Sequence, residues 1–287
     1  MKPAAFRYHA PETLEEAVAT LAEVAPQDGR VLAGGQSLVP IMAFRLARPA
    51  HLVDINGVPG LDRLETSNGR LSIGACVRHA AFYQPVTDGP LGELLTTVVQ
   101  HIAHHPIRTR GTFCGSLAHA DPASEWCMVA ATLEAELVAI GRRGTRSIAA
   151  GDFFAGIMTT ALAEDELLIE ARLPVLPPDT RFGFCEFSRR AGDFAIGMAL
   201  VTYRVEDGAM VEPRVGIGGA EAKPRRLADA EAALAGRPPG ADAFNHAADA
   251  AAAAIDPLED FNTSAEYRRD LIRTMTRRAL ERAAARG

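Results

Sequence analysis

The stretch "GRVLAGGQSL", residues 29–38, constrains the fold of this chain more than any other. An apolar, strand-like run meets two adjacent glycines, Gly34 and Gly35. The polar pair Gln36 and Ser37 follows, and "LVPIMAFRLA" then reads as a short apolar helix. Without Cβ atoms, a glycine pair lets the backbone take positive φ and approach another group closely. Successive N–H groups in such a turn can form an anion-binding nest, and Ser37 adds a hydroxyl donor. On local pattern alone, the stretch is open between that nest and a plain strand-to-helix turn. It is neither common phosphate loop. A P-loop needs a lysine, and none stands here. The dinucleotide fingerprint fails too, because the cluster Gly216, Gly218, Gly219 has Glu221 where its third glycine belongs.

A second segment has the same ingredients. "RTRGTFCGSLAHADPASEW", residues 108–126, places Gly111, Thr112, Gly115 and Ser116 ahead of Asp121 and Glu125. Donor-rich backbone is followed by carboxylate acceptors suited to sugar hydroxyls. Two such loops can grip the two ends of one pyrophosphate-containing cofactor.

The pattern around them divides the chain. Residues 1–57 read as strand, helix, strand, helix, strand. "PETLEEAVATLAEV" opens with Pro11, carries acids in its first turn, and sets Leu14, Ala17, Val18 and Leu21 on one face. "HLVDING" is a buried strand stopping at Asn56 and Gly57. Residues 58–176 begin with the alternating "RLSIGACV", continue through a helix in "GELLTTVVQHIA", and close on "ELLIEARLP". The Pro-rich "LPVLPPDT", 173–180, is a linker. From 178 to 287, three strands in "RFGFCEFSRR", "IGMALVTYRVEDG" and "MVEPRVGIGG" precede helices over 227–235, 241–254 and 264–284. That order predicts an α+β domain with a three-stranded antiparallel sheet.

Composition removes several classes. A net charge of −6 argues against a broad nucleic-acid surface. No run of about 18 apolar residues predicts a membrane span, and "MKPAAFRYHA" has no apolar signal region. Cys76, Cys114, Cys127 and Cys185 include no C-x-x-C spacing, so neither a disulfide framework nor a cluster nest within the chain is expected. The expected compartment is a reducing cytoplasm. No acid, base or nucleophile set of a hydrolase is present, and no catalytic residue is assigned. That suits a protein that holds and tunes a cofactor.

"AGGQSLVPIM", "HLVDI", "IRTRGTFCGSLAHADPASE", "FSRRAGDFAI" and "SAEYRRDLIRTMTRRAL" together resemble, in order and over nearly the whole chain, the FAD-binding medium subunit of the molybdenum hydroxylases. That family includes the flavoprotein subunit of aerobic carbon monoxide dehydrogenase and the flavin domain of xanthine dehydrogenase. The resemblance implies an FAD-binding region of the vanillyl-alcohol-oxidase/PCMH type over 1–176, with subdomains 1–57 and 58–176, followed by a C-terminal domain over 178–287. The implied cofactor-binding residues are Leu32, Ala33, Gly34, Gly35, Gln36, Ser37 and Leu38 in the first loop. Ile102, Arg108, Gly111, Thr112, Cys114, Gly115 and Ser116 belong to the second loop and its approach. Ala120, Asp121, Glu125, Leu168, Glu186 and Phe194 complete the set. Two positions depart from the family. Cys114 stands where a glycine is usual, and Glu186 where lysine is frequent. The carboxylate of Glu186 either points to solvent from an edge strand or lies near the flavin, where it disfavours added negative charge. Phe194 is expected against the isoalloxazine ring.

The resemblance further implies a heterotrimer, often doubled. A large subunit carries a molybdenum–pterin centre, and a small one carries two [2Fe-2S] clusters. This chain takes electrons from the nearer cluster onto FAD and passes them to an external acceptor. The rivals are a self-contained FAD oxidase or dehydrogenase, and a flavin-free scaffold in which Cys114 blocks the second loop.

Two other patterns are read as structural. His101, His104 and His105 lack companion ligands of metal spacing, so no metal site is assigned. Arg268, Arg269, Arg273, Arg277, Arg278 and Arg282 lie on a helix whose Tyr267, Leu271, Met275 and Leu280 are spaced for burial. Their expected place is a solvated or partner-facing surface.

Overall fold

The computed structural model describes residues 2–261 and 263–286. Its first unit is a small parallel sheet, formed by β1 (Arg7–His9), β2 (Gly29–Leu32) and β3 (His51–Asp54) in the order β1-β3-β2. The crossovers are α1 (Leu14–Val24) and α2 (Leu38–Ala43). The hydroxyl of Thr13 accepts the Glu16 N–H to start α1. Ala17, Val18, Leu21 and Val24 turn inward. The Gly34–Gly35 turn leaves the carboxyl end of β2, where open parallel sheets present ligand crevices.

The second unit is an antiparallel sheet of β4 (Leu64–Ser67), β5 (Arg70–Gly74), β6 (Glu136–Gly141), β7 (Gly144–Ala149) and β10 (Leu167–Pro174), ordered β4-β5-β10-β6-β7. Between β5 and β6 run α3 (Pro90–Val99), α4 (His105–Arg108), α5 (Phe113–His119) and α6 (Glu125–Thr132). After β7 come α7 (Ala150–Phe153) and the hairpin of β8 (Phe154–Gly156) and β9 (Thr159–Thr160). Phe82, Phe113 and Trp126 form a buried aromatic trio with centroids 4.9–5.6 Å apart. The trio anchors the starts of α5 and α6 to the rest of the unit, each ring contributing about 1.5–3 kcal/mol by burial.

The third unit is an antiparallel sheet of four strands, not the three expected. They are β11 (Arg181–Phe187), β12 (Gly197–Glu206), β13 (Ala209–Gly218) and β14 (Arg225–Arg226). The extra strand is two arginines paired with Gly216 and Ile217. Nothing in "RR" suggests a strand; Glu221 and Glu231 hold it by ion pairs to Arg225 and Arg226. Helices α8 (Ala228–Leu234), α9 (Ala241–Ala254) and α10 (Ala265–Ala284) cover one face. A Cβ on Gly183 would stand 1.9 Å from the Ala279 carbonyl oxygen, so only glycine lets α10 lie this close to β11.

The sheet is buried on both sides. Ala199, Val201 and Tyr203 join the core under α8–α10. Phe182, Phe184, Met198 and Leu200 point the other way, into the core shared with the first two units. Among the described residues, no helix is long and apolar enough to cross a membrane.

Candidate functional site

The two glycine loops meet. A Cβ on Gly34 would lie 2.5 Å from the Arg110 carbonyl oxygen and 2.6 Å from the Gly111 Cα, so the absence of a side chain is what permits the contact. Gly35 takes φ +71°, the left-handed region. Gln36 Nε2 donates to the Gly34 carbonyl at 3.0 Å and stiffens the turn. The N–H groups of Gly34, Gly35, Gln36 and Ser37 donate to no acceptor among the described residues. Four consecutive unpaired N–H groups beside a strand end form a ready nest for an anion such as a phosphate.

Two residues outside the sequence-expected set brace this junction. Asn56 Nδ2 donates to the Ala33 carbonyl at 2.8 Å, and its Oδ1 accepts from Arg78 Nη2 at 2.6 Å. Arg78 Nη1 donates to the Arg110 carbonyl. One side-chain pair therefore ties both loops through their carbonyls. His79 lies beneath the second loop. Its backbone N–H donates to the Gly111 carbonyl, and its Nδ1 accepts from Trp126 Nε1 at 2.9 Å. That bond places the ring proton on Nε2. Burial, with Arg108 and Arg78 adding repulsion, lowers the His79 pKa to about 4 and keeps the ring neutral. Asn56 was legible only as a strand-ending turn residue; Arg78, His79 and Trp126 carried no signal of their own.

The second loop runs into α5. Thr112 caps that helix by accepting the Gly115 N–H at 3.1 Å, and a Cβ on Gly115 would collide with the capping hydroxyl. Cys114 is buried, and its thiol donates to the Ile73 carbonyl on β5. The side chain is thus packed inward, not exposed on the loop, which removes the observation that favoured a blocked loop. Ala120 closes α5 in the left-handed region. Ser116 Oγ lies 2.8 Å from Ser124 Oγ, and Ser124 caps α6. Asp121 Oδ1 accepts the Ala123 N–H. Glu125, the first residue of α6, is only 8% exposed.

From the third unit come Glu186 and Phe194. Glu186 does not point to solvent; its side chain is 4% exposed, with Oε2 3.8 Å from His101 Nδ1. Burial, and then the charge of Glu125, raise the Glu186 pKa well above the usual carboxylate range. Phe194 is 72% exposed, so it belongs to no core. Its loop is seated on the second unit, because Gly192, at φ +86°, is packed against the His104 imidazole.

Other expected residues are engaged elsewhere. Arg108 donates through Nη1 to the carbonyls of Gln100, Ile102 and Ala103, and through Nε to Tyr83 Oη, so most of its hydrogen bonds hold the chain just after α3. Ile102 and Leu168 are core residues. The three histidines serve separate neighbours. His101 faces Phe184 and Glu186, His104 faces Gly192, and His105 stacks on Tyr83. Of the α10 arginines, Arg273, Arg278 and Arg282 are exposed as expected, and Arg268 is not. Arg268 is buried and donates to the Ile196 and Gly219 carbonyls and to Asp260, while Arg282 donates to the Phe184 carbonyl. Arg268 is an internal clamp, whereas Arg282 reaches the strand carbonyl from an exposed position. Tyr267, spaced for burial, is 42% exposed, its ring edge-on to Phe187 at the end of β11.

Residues 4–176 match the family described as FAD binding domain in molybdopterin dehydrogenase, and residues 182–283 match the CO dehydrogenase flavoprotein C-terminal domain. The chain is 37% identical to the nicotine 6-hydroxylase medium subunit of Paenarthrobacter nicotinovorans over 286 residues, covering all of both chains. It is 38% identical to the caffeine dehydrogenase subunit beta of a Pseudomonas species, covering 100% of this chain and 97% of that one. Among solved structures, it superposes on a chain of the carbon monoxide dehydrogenase from Hydrogenophaga pseudoflava with a TM-score of 0.95 at 35% identity. That match covers 100% of this chain and 99% of the other.

Proposed function

We propose a role that starts from one established point: this chain belongs to the FAD-binding medium-subunit family of the molybdenum hydroxylases. Its relatives are subunits of multi-subunit oxidoreductases. In our reading the chain receives electrons from a small partner subunit bearing two [2Fe-2S] clusters. That partner is reduced in turn by a large molybdenum–pterin subunit, which acts on the organic substrate. The chain passes the electrons to an external acceptor. The assembly is a cytoplasmic heterotrimer or a dimer of heterotrimers.

One observation carries the reading. Two glycine loops from different units are held in contact, and one of them offers four unpaired backbone N–H groups. That donor set fits a pyrophosphate. Gly34–Ser37 and the Thr112–Ser116 segment would hold it, with Asp121 accepting from sugar hydroxyls and Phe194 lying against the ring. Bound FAD supplies a ring system that takes up electrons from a one-electron carrier and releases them singly or in pairs. The chain's own residues position it. The Asn56–Arg78 pair keeps the loops together, the neutral His79 supports the second loop without adding a charge, and the His104–Gly192 contact sets where Phe194 stands.

The test is the visible spectrum of the purified chain, before and after heat release of any chromophore. Flavin absorption, with a released compound that chromatographs as FAD, is expected. A colourless chain that also refuses added FAD overturns the reading. Flavin that remains with acid-precipitated protein would instead favour a covalent, self-contained oxidase.

A further inference from the structure

The hairpin of β8 and β9 sets two large apolar side chains in solvent. Ile157 is 52% exposed and Met158 is 53% exposed. The root of the hairpin is firmly packed. Phe153 and Phe154 are buried with their rings edge-on at 5.2 Å, and the Ala161 N–H donates to the Phe153 carbonyl at 2.8 Å. Met158 also takes φ +50°, in the left-handed region that suits glycine or asparagine. Its N–H donates to the Ala120 carbonyl at 3.0 Å, and Thr159 Oγ1 donates to the Ile157 carbonyl at 2.9 Å, so the tip is held in that shape. A fixed, strained tip that exposes apolar surface costs the fold stability. Such strain collects where ligands are gripped.

The tip is fastened beside the second glycine loop. Ala120, which accepts the Met158 N–H, ends α5 in the left-handed region and precedes Asp121, the residue we read as accepting from sugar hydroxyls. One residue further, the Pro122 carbonyl accepts the Gly219 N–H at 2.8 Å. Gly219, at φ +78°, is pressed against the Phe194 loop; a Cβ there would lie 2.9 Å from the Ala195 carbonyl oxygen. Ala195 directly follows Phe194, which is 72% exposed. The turn at 120–122 is therefore held by two elements from different units of the fold. Both lead to projecting apolar side chains: Ile157 and Met158 from the hairpin, and Phe194 from the C-terminal unit.

We propose that the flavin ring enters between these projections, with Ile157 and Met158 forming a wall that faces Phe194 across the ring and covers it against solvent. A methionine suits that place. Its thioether is polarisable, adapts to a flat ring and makes favourable sulfur–aromatic contacts. The apolar surface that both elements expose is then buried against the cofactor, which accounts for a rigid hairpin with an apolar tip. The proposal rests on the reading of this chain as an FAD carrier.

Oxidation of Met158 tests it in the unaltered chain. Among the described residues, Met42, Met128, Met198, Met210 and Met275 are buried, so dilute peroxide should convert Met158 to its sulfoxide ahead of them. The full chain is treated in the dark with and without FAD, and the sulfoxide is located by peptide mass spectrometry. Bound FAD should slow the oxidation of Met158 at least about fivefold, because susceptibility follows exposure. A chain that holds FAD, by its absorption, while Met158 oxidises at the unbound rate overturns the wall and leaves the carrier reading standing. A chain that takes up no FAD overturns the carrier reading, and the wall falls with it. A variant carrying I157S and M158S gives a second measurement. Iodide should quench its bound flavin more strongly than that of the wild type, because the cover is gone. Equal quenching in the two FAD-loaded chains overturns the cover.

Discussion

Gly34 and Arg110 stand so close that a methyl group on the first would lie 2.5 Å from the carbonyl oxygen of the second. The contact joins a loop from a parallel sheet to one from an antiparallel sheet, and the candidate site exists only because of it. Gly34→Ala should therefore force the loops apart. We expect a stability loss of about 1–3 kcal/mol, the usual cost of overpacking, and FAD affinity weaker by at least about tenfold. Thermal unfolding and flavin titration check the two effects separately. Unchanged FAD affinity would show that the cofactor does not sit across this junction.

His79 makes stability fall in acid. Its folded pKa of about 4 lies below the ordinary 6.5, so the unfolded chain binds the proton more readily than the native one. The stabilisation is full above pH 6.5 and drains away as the pH falls toward 4. The difference is worth at most about 3 kcal/mol. Urea unfolding measured along that window should flatten in His79→Gln. An equally steep profile in the variant would assign the acid sensitivity to other groups.

Glu186 works in the opposite direction. Its folded pKa is raised, so the native state holds a proton that the unfolded chain has released. This contribution is present below the unfolded carboxyl pKa and is lost as the pH rises through the folded one. Glu186→Gln should gain stability relative to wild type on the alkaline side. A constant difference at every pH would contradict this.

Phe194 should prove expendable for folding. At 72% exposure, its truncation to alanine is expected to move stability by no more than about 0.5 kcal/mol. In the FAD-loaded chain the same change should raise flavin fluorescence, because a stacked ring quenches it. Unaltered fluorescence would remove Phe194 from the flavin.

The four thiols should be silent in the native protein. All are buried, and burial pushes Cys76 to about 11 and Cys127 to about 12, with Cys114 raised as well. A thiol reagent should count none quickly in the native chain and all four after denaturation. Cys114→Gly, which restores the residue usual in the family, should cost about 1 kcal/mol through a small void and a looser α5 while leaving FAD binding intact. Improved FAD binding would mean that the thiol does obstruct the loop.

How much of the fold and the candidate site is legible in the sequence follows from the range of each interaction. The alternation of strand and helix through residue 57 rests on local periodicity and is present in the structure. The glycine loops were visible because glycine reports a local backbone requirement. The Asn56–Arg78 brace was invisible, since the partners lie 22 residues apart and neither residue type is unusual on a surface. The strand at Arg225–Arg226 has no signature in the sequence, because its pairing is made by β13 and not by its own composition. The sequence leaves Glu186 between solvent and interior for a related reason. The pattern Phe182, Phe184, Glu186 names a face but not what covers it.

The sheet of β11–β14 also settles what can be separated. Because Phe182, Phe184, Met198 and Leu200 complete the core of the FAD-binding region, while Ala199, Val201 and Tyr203 complete the helical layer, this sheet is a party wall between two interiors. A chain cut after residue 176 would leave one interior without its wall, and such a fragment should bind hydrophobic dyes and aggregate. The junction that family comparison draws near residue 180 is therefore a seam of inheritance and not of folding. A hybrid that exchanges the C-terminal part with that of a relative must bring matching wall-facing side chains, or neither half will close.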